Sequence, residues 1–159
     1  MKIRPYKPED LADIMDIGQR AWTEIRKMSR EALGEEIYTH LNPHPCTSKG
    51  KQIADHAQKF PEWTLICEHE GRCVGFVTFS INRERAVGEI LNNAVDPEAG
   101  LKGAGQLMYR AVLDRFRGEG LFCAKVHTGL DEAHAPARRA YERAGFDRQL
   151  HDVTYFQKL

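Results

Sequence analysis

Residues 88–109 read GEILNNAVDPEAGLKGAGQLMY: a strand that ends in Val95-Asp96-Pro97, a glycine-punctuated turn, and a helix that opens directly from it. The first amides of a helix have no partners inside it and sit at the positive end of its dipole, so an anion placed there is both hydrogen-bonded and attracted. Gly103 and Gly105 carry no Cβ, which lets anionic oxygens approach the backbone and lets the chain take positive φ to aim successive amides into one concavity. The stretch is therefore a candidate pyrophosphate cradle, and its neighbours decide the fold around it.

Upstream, the period is that of strands. Trp63 to Glu68, Cys73 to Ile81 and Ala86 to Val95 alternate in character and are separated by Glu70-Gly71 and by Arg83-Glu84-Arg85, which predicts an antiparallel meander. With Glu70 and Gly71 as a two-residue turn, Cys73 faces Glu68, so Cys67 and Cys73 project from opposite faces and do not form a disulfide. Downstream, Leu107, Met108, Ala111, Val112 and Phe116 line one face of a helix from about Ala104 to Arg117, and Leu121 to Thr128 follows as a strand parallel to its predecessor. A last helix ends at Gly145, a natural left-handed cap, and Phe146 to Gln149 and Val153 to Leu159 are expected to close the sheet.

The N-terminal third reads as helical. Lys2 to Tyr6 is a short strand, and Pro8 with Glu9 and Asp10 marks a helix start. Leu11, Ile14, Met15, Gly18, Ala21, Trp22 and Ile25 form one apolar stripe. Ser29 is expected to cap a second helix lined by Leu33, Ile37 and Leu41, and a third short helix carries Ile53, Ala57 and Phe60 up to Pro61.

Composition narrows the function. A chain of 159 residues is expected to be a single domain over 1–159, and a domain of that size buries roughly 70% of the surface its unfolded form exposes. Lys plus Arg and Asp plus Glu are equal at 23 each, so no global field draws in nucleic acid or an anionic membrane. No apolar run approaches the roughly 18 residues of a membrane span, and the N-terminal stretch has no signal-peptide core, which makes the expected location cytoplasmic. Cys46, Cys67, Cys73 and Cys123 lack zinc-finger spacing and read as thiols. His40, His44, Cys46 and His56 form a loose group, but Pro43 and Pro45 break the spacing that would converge them, so no metal is expected.

The order strand, ValxPro, GlyxGly, helix, strand, followed by His134-Ala135-Pro136-Ala137-Arg138-Arg139-Ala140-Tyr141-Glu142-Arg143-Ala144-Gly145-Phe146, resembles the GNAT acyltransferase superfamily over nearly the whole chain. Its members transfer an acyl group from coenzyme A to an amine. The resemblance implies an α/β (α+β) fold: a mixed, mostly antiparallel central sheet of about six to seven strands with helices on both faces and a splayed parallel pair in the middle. It also implies acetyl-CoA as acyl donor, with Ala94, Val95, Leu101, Lys102, Gly103, Ala104, Gly105, Gln106 and His134 as its contacts. A main-chain amide near Val95 would polarise the thioester carbonyl, the pantetheine arm would add edgewise to that strand, and Tyr141 would serve as general acid to the leaving thiolate.

A lysine-like amine is neutral in only about one molecule per few thousand at pH 7, so a base assists its attack. Glu89 is the first candidate. Strand alternation sets Glu89, Asn93 and Val95 on one face, where Asn93 could hold a water; His127 and His134 are alternative bases. In this architecture Trp22, Tyr38, His40, Leu150 and His151 would line the acceptor pocket, with Trp22, Asn93 and His151 as its chosen contacts. The chain departs from the family pattern in two places. Gly100 and Leu101 replace the usual Gln or Arg and glycine, which implies a looser loop, and His134 replaces an asparagine cap, which implies a loosened helix start because Asp131 lies too far back. The expected activity is acetyl transfer to an amine by direct attack in a ternary complex, without a metal. A catalytically weak acyl-CoA-binding sensor or partner module is the alternative, and the reading leaves room for a homodimer.

Overall fold

The computed structural model describes residues 1–45 and 47–159. Strand β1 (Lys2–Pro5) leads through a 3₁₀ turn at Pro8–Asp10 into four helices, α1 (Leu11–Ala21), α2 (Thr23–Leu33), α3 (Glu35–Leu41) and α4 (Ser48–Lys59). Then come β2 (Thr64–His69), β3 (Arg72–Asn82), β4 (Val87–Val95), α5 (Ala104–Gly118), β5 (Cys123–Val126), a 3₁₀ turn at Glu132–His134 and α6 (Ala135–Arg143). The strands lie in the order β1-β2-β3-β4-β5, with every pair antiparallel except β4 and β5.

Each face of the sheet has its own apolar core. Val77, Phe79, Ile81 and Ile90 meet Met108, Val112 and Phe116 of α5 on one side. Ile66, Phe76 and Ala94 meet Ile14 and Ile17 of α1 and Ile53 and Ala57 of α4 on the other. At Gly88 the Phe116 ring of α5 lies directly on the strand, so a Cβ there would overlap it. The Glu70-Gly71 turn has φ of 50° and 78°, the pair of positive values that a right-twisted two-residue hairpin requires, and Glu68 pairs with Cys73 as expected.

The β3–β4 ladder holds an irregularity that governs the site. Val77 pairs with Asn93 and Phe79 with Ile90, so Thr78 alone stands opposite both Leu91 and Asn92. This is a β-bulge with the extra residue in β4. Thr78, fully buried, clamps it: its Oγ1 accepts from the Asn92 N–H at 2.9 Å and donates to the Asn92 carbonyl at 3.1 Å.

Four expectations about secondary structure change. The stripe from Leu11 to Ile25 is two helices, because Trp22 leaves helical geometry at φ −89°, ψ 7°. Ser29 lies inside α2, and the stop comes at Gly34, whose φ of 74° is open to glycine at little cost. Among the described residues the sheet has five strands, not six to seven. Residues 147–159 form no strand; Leu150, Val153 and Tyr155 stay exposed, and the tail runs back to α3, where Lys158 pairs with Glu36 at 2.7 Å. Alternation states a preference for a half-buried pleated surface, but pairing also needs an edge, and β5 offers only the four residues Cys123–Val126. The fourth change, at the start of α6, belongs to the site.

Thr78→Val keeps the side-chain shape and strands both Asn92 backbone groups. It should cost about 1–3 kcal/mol of stability by chemical denaturation, the penalty of buried unpaired polar groups. An unchanged midpoint would show that the clamp does not hold the bulge.

Candidate active site

Past the bulge, the side chains of β4 change face. Gly88 and Ile90 look toward α5, so alternation turns Glu89 to the α1/α4 side. Beyond Leu91 and Asn92 the phase is reversed: Asn93 and Val95 look toward α5, and Ala94 packs against α1 and α4. The expectation that Glu89, Asn93 and Val95 share a face is therefore wrong, because the extra residue inverts a period of two. Glu89 pairs with Lys125 of β5 at 2.9 Å, within the β4–β5 ladder.

That ladder ends at Ile90 and Val126, leaving Leu91 to Val95 without a strand neighbour on the β5 side. The Asn92 amide and the Asp96 amide, which donates to the Val74 carbonyl at 2.9 Å, both point toward β3. Alternation then directs the Asn93 and Val95 amides into the gap. Two N–H donors unpaired among the described residues, at the end of the parallel ladder, form an edge to which an extended chain or a polarised carbonyl can bind.

Asn93 is the centre of a hydrogen-bond chain. The Tyr109 hydroxyl donates to its Oδ1 at 2.7 Å, and its Nδ2 donates to the Tyr141 hydroxyl oxygen at 3.0 Å. Tyr109 fixes which way the amide faces, and the amide occupies the Tyr141 oxygen. The Tyr141 hydroxyl also lies beside the Tyr109 hydroxyl, and its hydrogen can turn from there to an incoming group. Burial raises the phenols of both tyrosines above their usual value, for Tyr141 against the lowering influence of Asn93 and Tyr109. Both are protonated donors at neutral pH. Sequence reasoning did not single out Tyr109 for this role. Its place among the apolar residues of the α5 stripe conceals a hydroxyl that reaches Asn93.

The cradle residues have the geometry of an anion site. Gly103 sits before α5 at φ 87°, no side chain caps the helix, and the Ala104, Gly105 and Gln106 amides open its first turn. A Cβ at Gly103 would meet nothing within 4 Å and one at Gly105 only the Tyr109 ring, so the space is free for a ligand. Gly100 has φ 63° and Leu101 packs against the core, which ties the loop down at the departing positions. Lys102 is exposed, Ala104 is buried, and the Gln106 side chain is committed to the Ala140 carbonyl at 2.8 Å. Beside Gln106, a groove of about 360 Å³ runs between α5 and α6, lined by Arg110, Arg117 and Arg143 with Asp114.

The start of α6 is firm. Asp131 caps the 3₁₀ turn by accepting from the His134 amide at 3.1 Å and contacts its Nδ1 at 2.7 Å, while Arg138 binds the Gly129 and Asp131 carbonyls. Burial opposes the Asp131 charge, yet His134 holds the carboxyl below its ordinary value. The expected loosening does not occur, because a 3₁₀ turn moves the cap upstream to Asp131. His134 is held in this cap, and His127 is exposed just beyond β5.

The acceptor residues are not gathered. Trp22 lies on the α1/α4 side, Asn93 on the α5 side, and His151 in the exposed tail, where its contact is Gln149. Arg20 pins α1 to the turn after β4 through Asp96 at 2.6 Å. Among the described residues, no three His, Cys, Asp or Glu side chains converge as metal ligands and no helix is long and apolar enough to cross a membrane; Cys46 lies outside the described residues.

The model of the acetyltransferase (GNAT) family matches residues 16–146. A mycothiol acetyltransferase of Stackebrandtia nassauensis is 38% identical over 104 residues, 62% of this chain and 33% of the relative. The chain thus spans about a third of the length of the relatives it matches. Among solved structures, the PaiA N-acetyltransferase of Thermoplasma acidophilum in complex with coenzyme A superposes with a TM-score of 0.72 at 16% identity, over 95% of this chain and 92% of that one. Ard1 of Thermoplasma volcanium gives a TM-score of 0.70 at 23% identity, over 94% and 84%.

Gly105→Val tests the cradle. The substitution fills space that the fold leaves open, so stability should change by less than about 1 kcal/mol. Coenzyme A binding by calorimetry should weaken more than about tenfold, a loss of about 1.4 kcal/mol. Unchanged affinity would place the pyrophosphate elsewhere.

Proposed function

We propose that this chain, which belongs to the GNAT acetyltransferase family, transfers acetyl from acetyl-CoA to a primary amine of a small molecule or peptide by direct attack in a ternary complex. The observation that carries this reading is the chain from Tyr109 through Asn93 to Tyr141 beside the unpaired Asn93 and Val95 amides. Acetyl-CoA, once bound, supplies an activated thioester. The glycine turn and the first amides of α5 hold its pyrophosphate, and the groove with Arg110 and Arg143 offers cations to its nucleotide end.

The residues divide the work. The amide near Val95 hydrogen-bonds the carbonyl oxygen where charge develops. Tyr141 directs its hydrogen at the departing sulfur. A thiol pKa near 8.5 is below that of a phenol near 10, so hydrogen bonding to the sulfur is the greater part of its contribution and proton delivery completes the step. Glu89 faces the α1/α4 side, the side of Trp22, and is the base candidate for an acceptor approaching from there. The likeness to mycothiol acetyltransferases supports a small-molecule acceptor.

Tyr141→Phe retains the packing and removes the hydrogen. With a responsive amine from a panel of polyamines, amino acids, aminoglycosides and peptides, kcat should fall about 10²-fold with KM for acetyl-CoA little changed. Full turnover in that variant would refute the acid role.

A further inference from the structure

An ammonium already occupies the acceptor side of the gap. Lys49, in the first turn of α4, places its Nζ 4.3 Å from the centroid of the Trp22 ring, 2.6 Å from Asn92 Oδ1 and 2.9 Å from Gln52 Oε1. An aromatic face and two amide oxygens are the elements that bind a cationic amine. Asn92 belongs to the bulge itself, one residue before Asn93, so this amine is held at the point where β4 and β5 part and on the face opposite Tyr141.

We propose that Lys49 is itself an acyl acceptor, and that the protein acetylates its own Lys49 in cis when acetyl-CoA is bound; this rests on the acetyl-CoA reading above. The Lys49 nitrogen, as the neutral amine, bonds to the acyl carbon and the carbon–sulfur bond breaks; the proton lost from the amine passes to water, and Tyr141 gives its hydrogen to the departing sulfur and is reprotonated from water, leaving N-acetyl-lysine and free thiol. Atoms and charge balance without a further reactant. Burial lowers the Lys49 ammonium to about 8, so about one molecule in ten is neutral at pH 7, against about one in a few thousand for an ordinary lysine. The acetylated side chain would lose its charge and with it the Trp22 and Asn92 contacts, which alters the amine site that any external acceptor must use.

The test incubates the full chain with acetyl-CoA and no added amine, follows intact mass and maps the modified peptide, with the urea-unfolded chain and Lys49→Arg in parallel. Calorimetry with coenzyme A is run on the same samples. The expected result is one acetyl group, on Lys49, formed at a rate independent of protein concentration and at least about 200-fold faster than on lysines of the unfolded chain, in proportion to neutral amine. Lys49→Arg should remain unmodified. Coenzyme A binding with no acetyl on Lys49, with label spread over exposed lysines, or with a rate rising with protein concentration overturns the proposal and leaves the acetyl-CoA reading intact. Absence of coenzyme A binding overturns both.

Discussion

The clamp of Thr78 on the Asn92 backbone is the constraint on which the site depends. One extra residue in β4 reverses the side-chain alternation halfway along the strand. Without it, Asn93 would look toward α1 and Ala94 toward α5, and Tyr141 would lose the amide that occupies its oxygen. Bulges concentrate where a strand must re-aim a side chain, and here the re-aimed residue links the two buried tyrosines. The same bulge coincides with the end of the β4–β5 ladder, so the change of face and the opening of the gap occur together.

Two environments result on either side of one strand. Toward α5 and α6 lie protonated phenols, an oriented amide and a helix start free of side-chain caps, a set suited to a thioester with a phosphate tail. Toward α1 and α4 lie Trp22, Lys49, Asn92 and Glu89, a polar and aromatic set suited to an amine. Donor and acceptor need not compete for one cavity, because the gap between β4 and β5 joins the two faces at the residues whose amides are unpaired. Direct transfer across such a gap requires no relay through an enzyme-bound acyl group.

Much of this was legible in the sequence, and the failures share a cause. The Glu70-Gly71 hairpin, the Glu68–Cys73 register and the inner face of α5 are local, fixed by turn chemistry and by helical period. The Tyr141 and Gly103-Ala104-Gly105 positions stood out through their resemblance to a family. The bulge was hidden because its signature lies in the pairing with β3, and two adjacent asparagines do not announce which will turn. Ser29 did not open a second helix, because its hydroxyl can stay inside one; the break before the helix of Ile37 and Leu41 falls at Gly34, whose positive φ a helix does not allow. The Asp131 cap depended on a 3₁₀ turn that no spacing rule forecasts, and the tail failed to pair because strand preference does not supply an edge. Lys49 was overlooked since its meaning comes from Trp22 and Asn92, 27 and 43 positions away.

A crystal structure of the chain with coenzyme A is the most direct measurement of this arrangement. The pantetheine should run along the Asn93–Val95 edge, with its sulfur in hydrogen-bonding reach of the Tyr141 hydroxyl and its pyrophosphate on the Gly103 to Gln106 amides. A sulfur bound away from that gap, with Tyr141 still turned toward Asn93 alone, would contradict it.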